Sequence, residues 1–448
     1  MLALGLAGAM LCLGVILRGS VPFLRKMLVP ASVIAGILGF ILINVLLNID
    51  ATAESVDTDT YSTLVNNLFT ISFIAIGLKG TSGKGQSGKI VKNSFSLGMF
   101  WNFLYALTPI LCVLILIVIG GSFDMDTIYG LLIQFGFCQG PGQAASFGLI
   151  FEQYGWENAS SVGITFAAVG FLVAFLVGIP IAKYGIKHKR VNYLSEIEKS
   201  TERGFFKKGE SSESLGKETT HSGNIDTVAM HFAIIGVTYL VALGIAYLFS
   251  FLPSFFGTAM SSMMFFNGLI AAYIVRFIIN KLKIDYILDS TFLTKITNLT
   301  TDFLVVCSFM AIAWSTIAAW IVPILVECVV VAAVTFVAVW FIVPRLCPED
   351  PFERLLGMWG SATGTIPSGV SLIRIVDPQL KSTAASELGL MNLPMVASTP
   401  VYYIALAIAA GSLSMTTGLL YLAGLAVIYF IVMVVIVKIP TKKKKTQE

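Results

Sequence analysis

Two short stretches of this chain place polar and conformationally permissive residues inside otherwise apolar sequence. The first is Gly136-Phe137-Cys138-Gln139-Gly140-Pro141-Gly142-Gln143-Ala144-Ala145-Ser146. The second is Gly357-Met358-Trp359-Gly360-Ser361-Ala362-Thr363-Gly364-Thr365-Ile366-Pro367-Ser368-Gly369. Proline removes a backbone donor, and glycine permits a tight reversal and close ligand approach. A backbone that leaves the helix at membrane depth exposes unpaired N–H and C=O groups. It survives there only when buried in protein or lining a wet cavity. In such a place, N–H groups at short-helix ends hold carboxylate oxygens and freed carbonyls hold Na⁺. Gln139, Gly140, Gly142, Gln143, Thr363, Gly364, Thr365 and Ser368 are the candidate ligands for an anionic solute. Taken singly, either stretch also fits a kinked helix at a close packing contact.

Ionisable residues in apolar surroundings form a second set. Asn298 and Asp302 are four apart and share one helix face. A lone charge at the bilayer centre costs about 2.5–3.5 kcal/mol on insertion scales, so Asp302 needs an ion or a basic partner. Asn67, Thr70 and Ser72 mirror Asn298, Thr300 and Asp302, which makes Asn67, Ser72, Asn298 and Asp302 the candidate Na⁺ ligands. Arg374 follows the second stretch. It reads either as a bidentate partner for a carboxylate or as an interfacial charge. Glu327 has no polar neighbours in sequence, and Glu387 opens a helix, where an acid complements the dipole.

Other chemistries are poorly served. Cys12, Cys112, Cys138, Cys307, Cys328 and Cys347 show no metal-ligand spacing, and His188, His221 and His231 lie in or beside one polar loop, so no transition-metal site or His-centred triad is expected. The run Gly83 to Ile90 nearly spells a phosphate-binding loop. Ile90 stands where the Mg²⁺-binding hydroxyl belongs, and no strand precedes it, so nucleotide binding is not expected. Asn158-Ala159-Ser160 fits a glycosylation sequon that reads as incidental.

The elements that must position these residues follow from composition. Of 448 residues, 56% are apolar and 12% charged, and mean hydropathy is +0.86. Soluble domains carry about 25% charged residues, so a soluble enzyme, a disordered chain and a nucleic-acid binder are excluded. A membrane helix needs about 20 apolar residues. Spans are predicted at 1–17, 29–48, 61–78, 94–120, 160–182, 227–250, 258–278, 297–318, 321–343, 384–410 and 416–437. The interrupted stretches 128–150 and 355–373 are read as non-spanning. Residues 1–17 begin apolar and are followed by Arg18, unlike a signal peptide, which predicts an outside N-terminus. All 29 Lys and Arg residues then fall on the inner side. A crossing at either interrupted stretch would misplace every later charge.

This gives an all-α polytopic membrane protein. Residues 1–182 hold five helices and one outside-entering re-entrant hairpin; residues 227–411 hold five helices and one inside-entering hairpin. Five is odd, so the halves are inverted relative to each other, a pattern of secondary transporters. Residues 183–226 form a polar cytoplasmic linker, and residues 412–448 add an eleventh helix and a basic cytoplasmic tail. With no nucleotide site, transport must draw on an ion gradient.

Several segments resemble bacterial sodium/glutamate symporters. They are Ile150-Phe151-Glu152-Gln153-Tyr154-Gly155-Trp156-Glu157-Asn158-Ala159, Ser20-Val21-Pro22-Phe23-Leu24-Arg25-Lys26 followed by Pro30 and Ala35-Gly36, Ile76-Gly77-Leu78 and Gly178-Ile179-Pro180. The likeness runs thinly over about residues 3–410. It implies electrogenic Na⁺-coupled uptake of glutamate or a close acidic amino acid, a homodimer, an elevator-like movement and a bacterial inner-membrane location. The family's first hairpin commonly reads Gly-Gly-His-Gly-Thr-Gly, whereas Cys138 to Gln143 contain no His. Thr363-Gly364-Thr365-Ile366-Pro367 stands where a Gly-Ala-Thr-Pro type of run is usual. The rival readings are a carrier of another di- or tricarboxylate and, from a different class, a channel or a membrane-embedded enzyme. No ring of like residues and no nucleophile with a base in reach favours the last two.

Overall fold

The computed structural model describes residues 1–27, 29–49, 58–79, 88–193, 216–252, 257, 260–312, 314–377, 381–391, 394 and 396–438. Every regular element among them is helical. The first half runs α1 (Leu2–Ser20), α2 (Pro22–Met27), α3 (Ala31–Ile49), α4 (Thr58–Lys79), α5 (Gly88–Ile119), α6 (Ile133–Gln139), α7 (Pro141–Gln153) and α8 (Ala159–Lys187). The second runs α9 (Thr227–Phe249), α10 (Met264–Lys281), α11 (Ser290–Met310), α12 (Trp314–Ile317), α13 (Ile321–Leu346), α14 (Pro351–Thr363), α15 (Ile366–Val376), α16 (Ala384–Leu390), α17 (Thr399–Ala409) and α18 (Met415–Lys438). Much of the central linker, the loop Gly83–Ser87 and the lysines Lys442 to Lys445 lie outside the described residues.

Among the described residues, eight helices are long and apolar enough to cross a membrane, so the chain is a multi-pass membrane protein. The span predicted at 29–48 is α3, Ala31–Ile49. Two later spans come out differently. The span expected at 297–318 starts earlier, at Ser290, because Asp289 caps it: its Oδ1 accepts from Phe292 N at 2.7 Å. It stops at Met310. Beyond that point Asn44 of α3 donates to Ile312 O at 3.0 Å and accepts from Trp314 N at 2.8 Å, holding the backbone outside a helix. The span expected at 384–410 is divided into α16 and a later segment that includes α17. Pro394 lies in that division, packed against Gly98 of α5, and a proline cannot supply the donor that a continuous helix needs.

Hydrogen bonds sort the helix ends into two groups. At one end, Asn93 Nδ2 donates to Glu387 Oε1 at 2.9 Å, Asn192 Nδ2 donates to Asp350 Oδ1 at 2.9 Å, and Lys89 pairs with Glu349. At the other, Tyr129 OH donates to Glu157 O at 2.8 Å and Trp156 Nε1 donates to Ala409 O at 2.7 Å. The chain from Tyr129 to Glu157 therefore leaves and returns to one end. The two ends of the segment from Asp350 to Glu387 are likewise brought together, by Arg354 and Glu387.

One large apolar core joins the two halves, with Trp101, Tyr105, Phe135, Phe147, Phe166 and Trp359 fully buried in it. Many apolar side chains on α1, α9 and α18 are exposed, including Ile16, Leu240 and Leu420. Outward apolar surface of this kind suits helices solvated by lipid tails.

Candidate functional site

Each interrupted stretch is a pair of short helices with a break between them. In the first, α6 ends at Gly140, whose φ of +86° only glycine adopts without strain. Pro141 then opens α7, where its missing N–H costs nothing. Phe135 stacks on Phe147 with ring centroids 4.0 Å apart, so α6 and α7 lie side by side. In the second, α14 ends at Thr363, Gly364 and Thr365 leave the helix, and α15 begins at Ile366 with Pro367 in its first turn. A methyl group on Gly360 would lie 2.7 Å from Gly369 Cα, and one on Gly357 would lie 2.8 Å from Ile373 Cδ1. These contacts pair α14 with α15 in opposite directions, and the missing side chains allow the approach.

The two breaks meet. A methyl on Gly140 would lie 2.5 Å from Thr365 Cγ2 and 3.6 Å from Gly364 O. Helix α8 runs behind both. A methyl on Gly163 would lie 3.1 Å from Ala144 O of α7, one on Gly170 would lie 2.5 Å from Thr363 O, and one on Gly178 would lie 2.6 Å from Leu372 of α15. These glycines are seven and eight residues apart and so share one helical face. The sequence signal for this spine is that spacing alone.

Around the breaks the polar groups are placed as follows. Gln139 Nε2 donates to Tyr402 OH at 2.7 Å, and Gln139 Oε1 is buried without a hydrogen-bond partner. Tyr105 OH donates to Gln143 Oε1 at 3.4 Å, and the Tyr105 and Tyr402 rings meet edge to face at 5.4 Å. Thr363 Oγ1 is spent on Trp359 O at 2.8 Å, while the Thr365 and Ser368 hydroxyls are 3.2 Å apart. Ser361 Oγ is buried without a partner. Gly142 packs under the Phe69 ring of α4. The first turns of α7 and α15 point unpaired backbone N–H groups, and the positive ends of two helix dipoles, at the junction. Gln139, Gly140, Gly142 and Gln143 are thus gathered at one break, and Thr363, Gly364, Thr365 and Ser368 at the other.

Arg374 is not brought there. It is exposed in the last turn of α15, ten residues beyond Gly364, or roughly 15 Å at 1.5 Å per residue. Nor are the four Na⁺ candidates gathered. Asn67 Oδ1 accepts from Tyr239 OH of α9 at 3.1 Å, Ser72 is buried within α4, Asn298 is exposed, and Asp302 is exposed beside Ser32 of α3. Among the described residues no ion pair involves Asp302. The polar residue of α4 that reaches the first broken pair is Asn66, whose Oδ1 accepts from Ser146 Oγ of α7 at 2.5 Å. Neighbouring helical residues point about 100° apart, so the polar pair Asn66-Asn67 is split between two faces.

The buried arginine is Arg354, 1% exposed. Its Nε donates to Glu387 Oε2 at 2.6 Å and its Nη2 to Glu387 Oε1 at 2.8 Å. Asn93 and Thr383 donate to the same carboxylate, each at 2.9 Å. Glu387 therefore neutralises a buried guanidinium rather than serving a helix dipole alone. Burial lowers the Arg354 pKa, and the hydrogen bonds and charge of Glu387 outweigh that and raise it. Next to it, Glu353 is fully buried; Asn192 N donates to its Oε1 at 3.1 Å, and its Oε2 has no partner. Burial pushes the Glu353 carboxyl above the usual carboxylate range, and the charges of Asp350 and Asp377 add to the rise. At the opposite end, burial raises Glu152, whose Oε1 accepts from Ser160 N at 2.8 Å.

Residues 1–376 match the model of the sodium/glutamate symporter family. The chain belongs to that family. It is a family of sodium-coupled transporters, not of enzymes, and its coupling ion is Na⁺. The matched region contains both breaks and ends with α15, so the divided segment α16–α17 and helix α18 lie beyond it. No curated protein matches the chain.

Proposed function

We propose that this sodium/glutamate symporter family member imports glutamate, or a close acidic amino acid, with Na⁺ through an inverted pair of five-helix repeats. The repeats are residues 1–182 and 227–411, joined by the linker 183–226 and followed by the extra segment 412–448. Each broken pair is a re-entrant hairpin, entering from opposite faces, and the solute sits where the tips meet. The observation that carries this reading is the contact of Gly140 with Thr365, each at the turn of a segment whose two ends are brought together. Carboxylate oxygens are assigned to the free N–H groups of α7 and α15, with Gln139, Gly140, Gly142, Gln143, Thr363, Gly364, Thr365 and Ser368 lining the site. Na⁺ is assigned to carbonyl oxygens freed at the breaks rather than to Arg374's neighbourhood or to the dispersed Asn67, Ser72, Asn298 and Asp302. The chain lies in the bacterial inner membrane with its N-terminus outside, works as a homodimer and alternates access by an elevator-like movement of the part that bears the hairpins.

The driving force suffices. One Na⁺ entering down 100 mV releases about 2.3 kcal/mol, and a tenfold gradient adds about 1.4 kcal/mol. Together they support a concentration ratio of several hundred if one net charge accompanies each solute. The test is uptake of labelled glutamate into proteoliposomes with an inward Na⁺ gradient, and with K⁺ in its place. Na⁺-dependent accumulation blocked by excess unlabelled glutamate is the expected result. Absence of glutamate uptake together with Na⁺-dependent thermal stabilisation by another carboxylate would transfer the cargo to a di- or tricarboxylate.

A further inference from the structure

Glu327 takes no part in the site described above, yet it is fully buried in α13. Neither of its carboxylate oxygens has a hydrogen-bond partner within normal geometry. Counting from Ile321, it lies roughly 9 Å along α13, at 1.5 Å per residue, beyond the tilted ring pair of Tyr129 and Trp320. Its helical neighbours Ile324 and Val331 are buried and apolar. The titratable groups beside its carboxyl are two thiols, Cys112 from α5 and Cys328 from its own helix. Helices α6, α8 and α14 also pack on α13. Among the described residues, they bring no Lys, Arg, His, Asp or Glu side chain against it.

An isolated carboxylate is not sustained in such a place. The desolvation cost is large enough that the group is neutralised instead, by a cation or by a proton. A sodium ion needs several oxygen ligands, and the two thiols beside the carboxyl supply none. A proton needs no further ligand. The same Cys112 also abuts the start of the first broken segment: a methyl on Gly130 would lie 2.9 Å from Cys112 C. The acid is therefore coupled by contact to the element that carries Gly140.

We propose that Glu327 is a proton-binding site of this transporter, and that its bound proton, not a sodium ion, sets the pH range of uptake. In the closed core the carboxyl is a neutral acid. When α13 and α5 part enough to admit water, the proton passes to water, and the carboxylate left behind opposes return to the dry position. Uptake falls as the pH rises for that reason.

The direct test is the infrared difference spectrum between the full-length protein and its Glu327→Gln variant, in lipid nanodiscs at about pH 7.5, well above the ordinary carboxylate range. A carboxylic-acid C=O stretch present in the wild type and absent from the variant is expected, unchanged by saturating Na⁺. Carboxylate stretches in its place, or an acid band replaced by them on adding Na⁺, would overturn the proposal. If E327Q fails to fold, Glu327→Asp serves: the acid band must shift rather than vanish. This arm needs no transport, so it stands or falls separately from the symport reading, on which the second arm rests. There, wild-type uptake at about pH 6 is expected to exceed that at about pH 8 by threefold or more, and E327Q to show a ratio near one. A wild-type pH profile in E327Q would overturn the assignment.

Discussion

At the scale of single residues, the charges buried at the Glu387 end decide folding, while the cargo site rests on uncharged groups. Removing one partner of a buried ion pair leaves an uncompensated charge, at a cost of about 3–5 kcal/mol. Arg354→Ala is therefore expected to reduce the yield of monodisperse protein in size-exclusion chromatography severely. Arg374→Ala, at an exposed position remote from the breaks, should leave yield intact and change glutamate KM by less than about twofold. Glu353 gives a pH-dependent prediction. Its folded pKa is raised, so the stability that goes with its bound proton is fully present below the unfolded value of about 4.3 and is lost as pH rises through the folded value. At neutral pH the ionised group is a burden. Glu353→Gln keeps the acceptor for Asn192 N and removes the charge, so its Tm should exceed that of the wild type at about pH 7, and the difference should vanish near pH 4.

At the scale of elements, the broken pairs depend on glycine for two separate reasons. Gly140 is needed for its backbone angle. A side chain there is strained by roughly 1–3 kcal/mol and also strikes Thr365. Gly142, Gly170 and Gly369 are needed for space, against Phe69, the Thr363 carbonyl and the Gly357 carbonyl respectively. Gly142→Leu and Gly364→Leu are each expected to abolish Na⁺-dependent uptake, by more than tenfold, while the protein still reaches the membrane. Near-normal uptake in both would remove the cargo site from the breaks. Gly170→Leu should do the same from α8, although no glycine of α8 belongs to a broken segment.

At the scale of the whole molecule, hydrogen-bonded polar groups cluster at two ends and at one interior junction, and much of the outward surface of the long helices is apolar. That is the arrangement a lipid solvent enforces, since every backbone group within it must be satisfied internally. The family relation identifies what crosses: Na⁺ coupled to a solute. If the junction between Gly140 and Thr365 is where the solute rests, cargo should protect it. A cysteine at Ser368 in a background lacking accessible thiols should react with a maleimide several-fold more slowly when Na⁺ and glutamate are both present than with either alone. Equal rates in all conditions would separate the junction from the transport path.

Much of this was fixed by linear sequence. Hydropathy runs located the long helices, because a membrane helix is a local, one-dimensional property, and Gly-Pro-Gly at 140–142 and Thr-Gly-Thr at 363–365 marked both breaks, because glycine and proline act on their own backbone. The family relation was also legible, in segments such as Phe151 to Trp156. Directions were not. Periodicity could not tell whether Asn66 or Asn67 faces α7, since that depends on how α4 is rotated against its neighbours. Nor could it pair Arg354 with Glu387, set Glu327 beside Cys112, or align three glycines of α8 behind two breaks more than two hundred residues apart. Those outcomes belong to packing: a buried charge takes whichever partner the folded helices bring within reach, and a missing side chain matters only where another backbone comes to occupy its place.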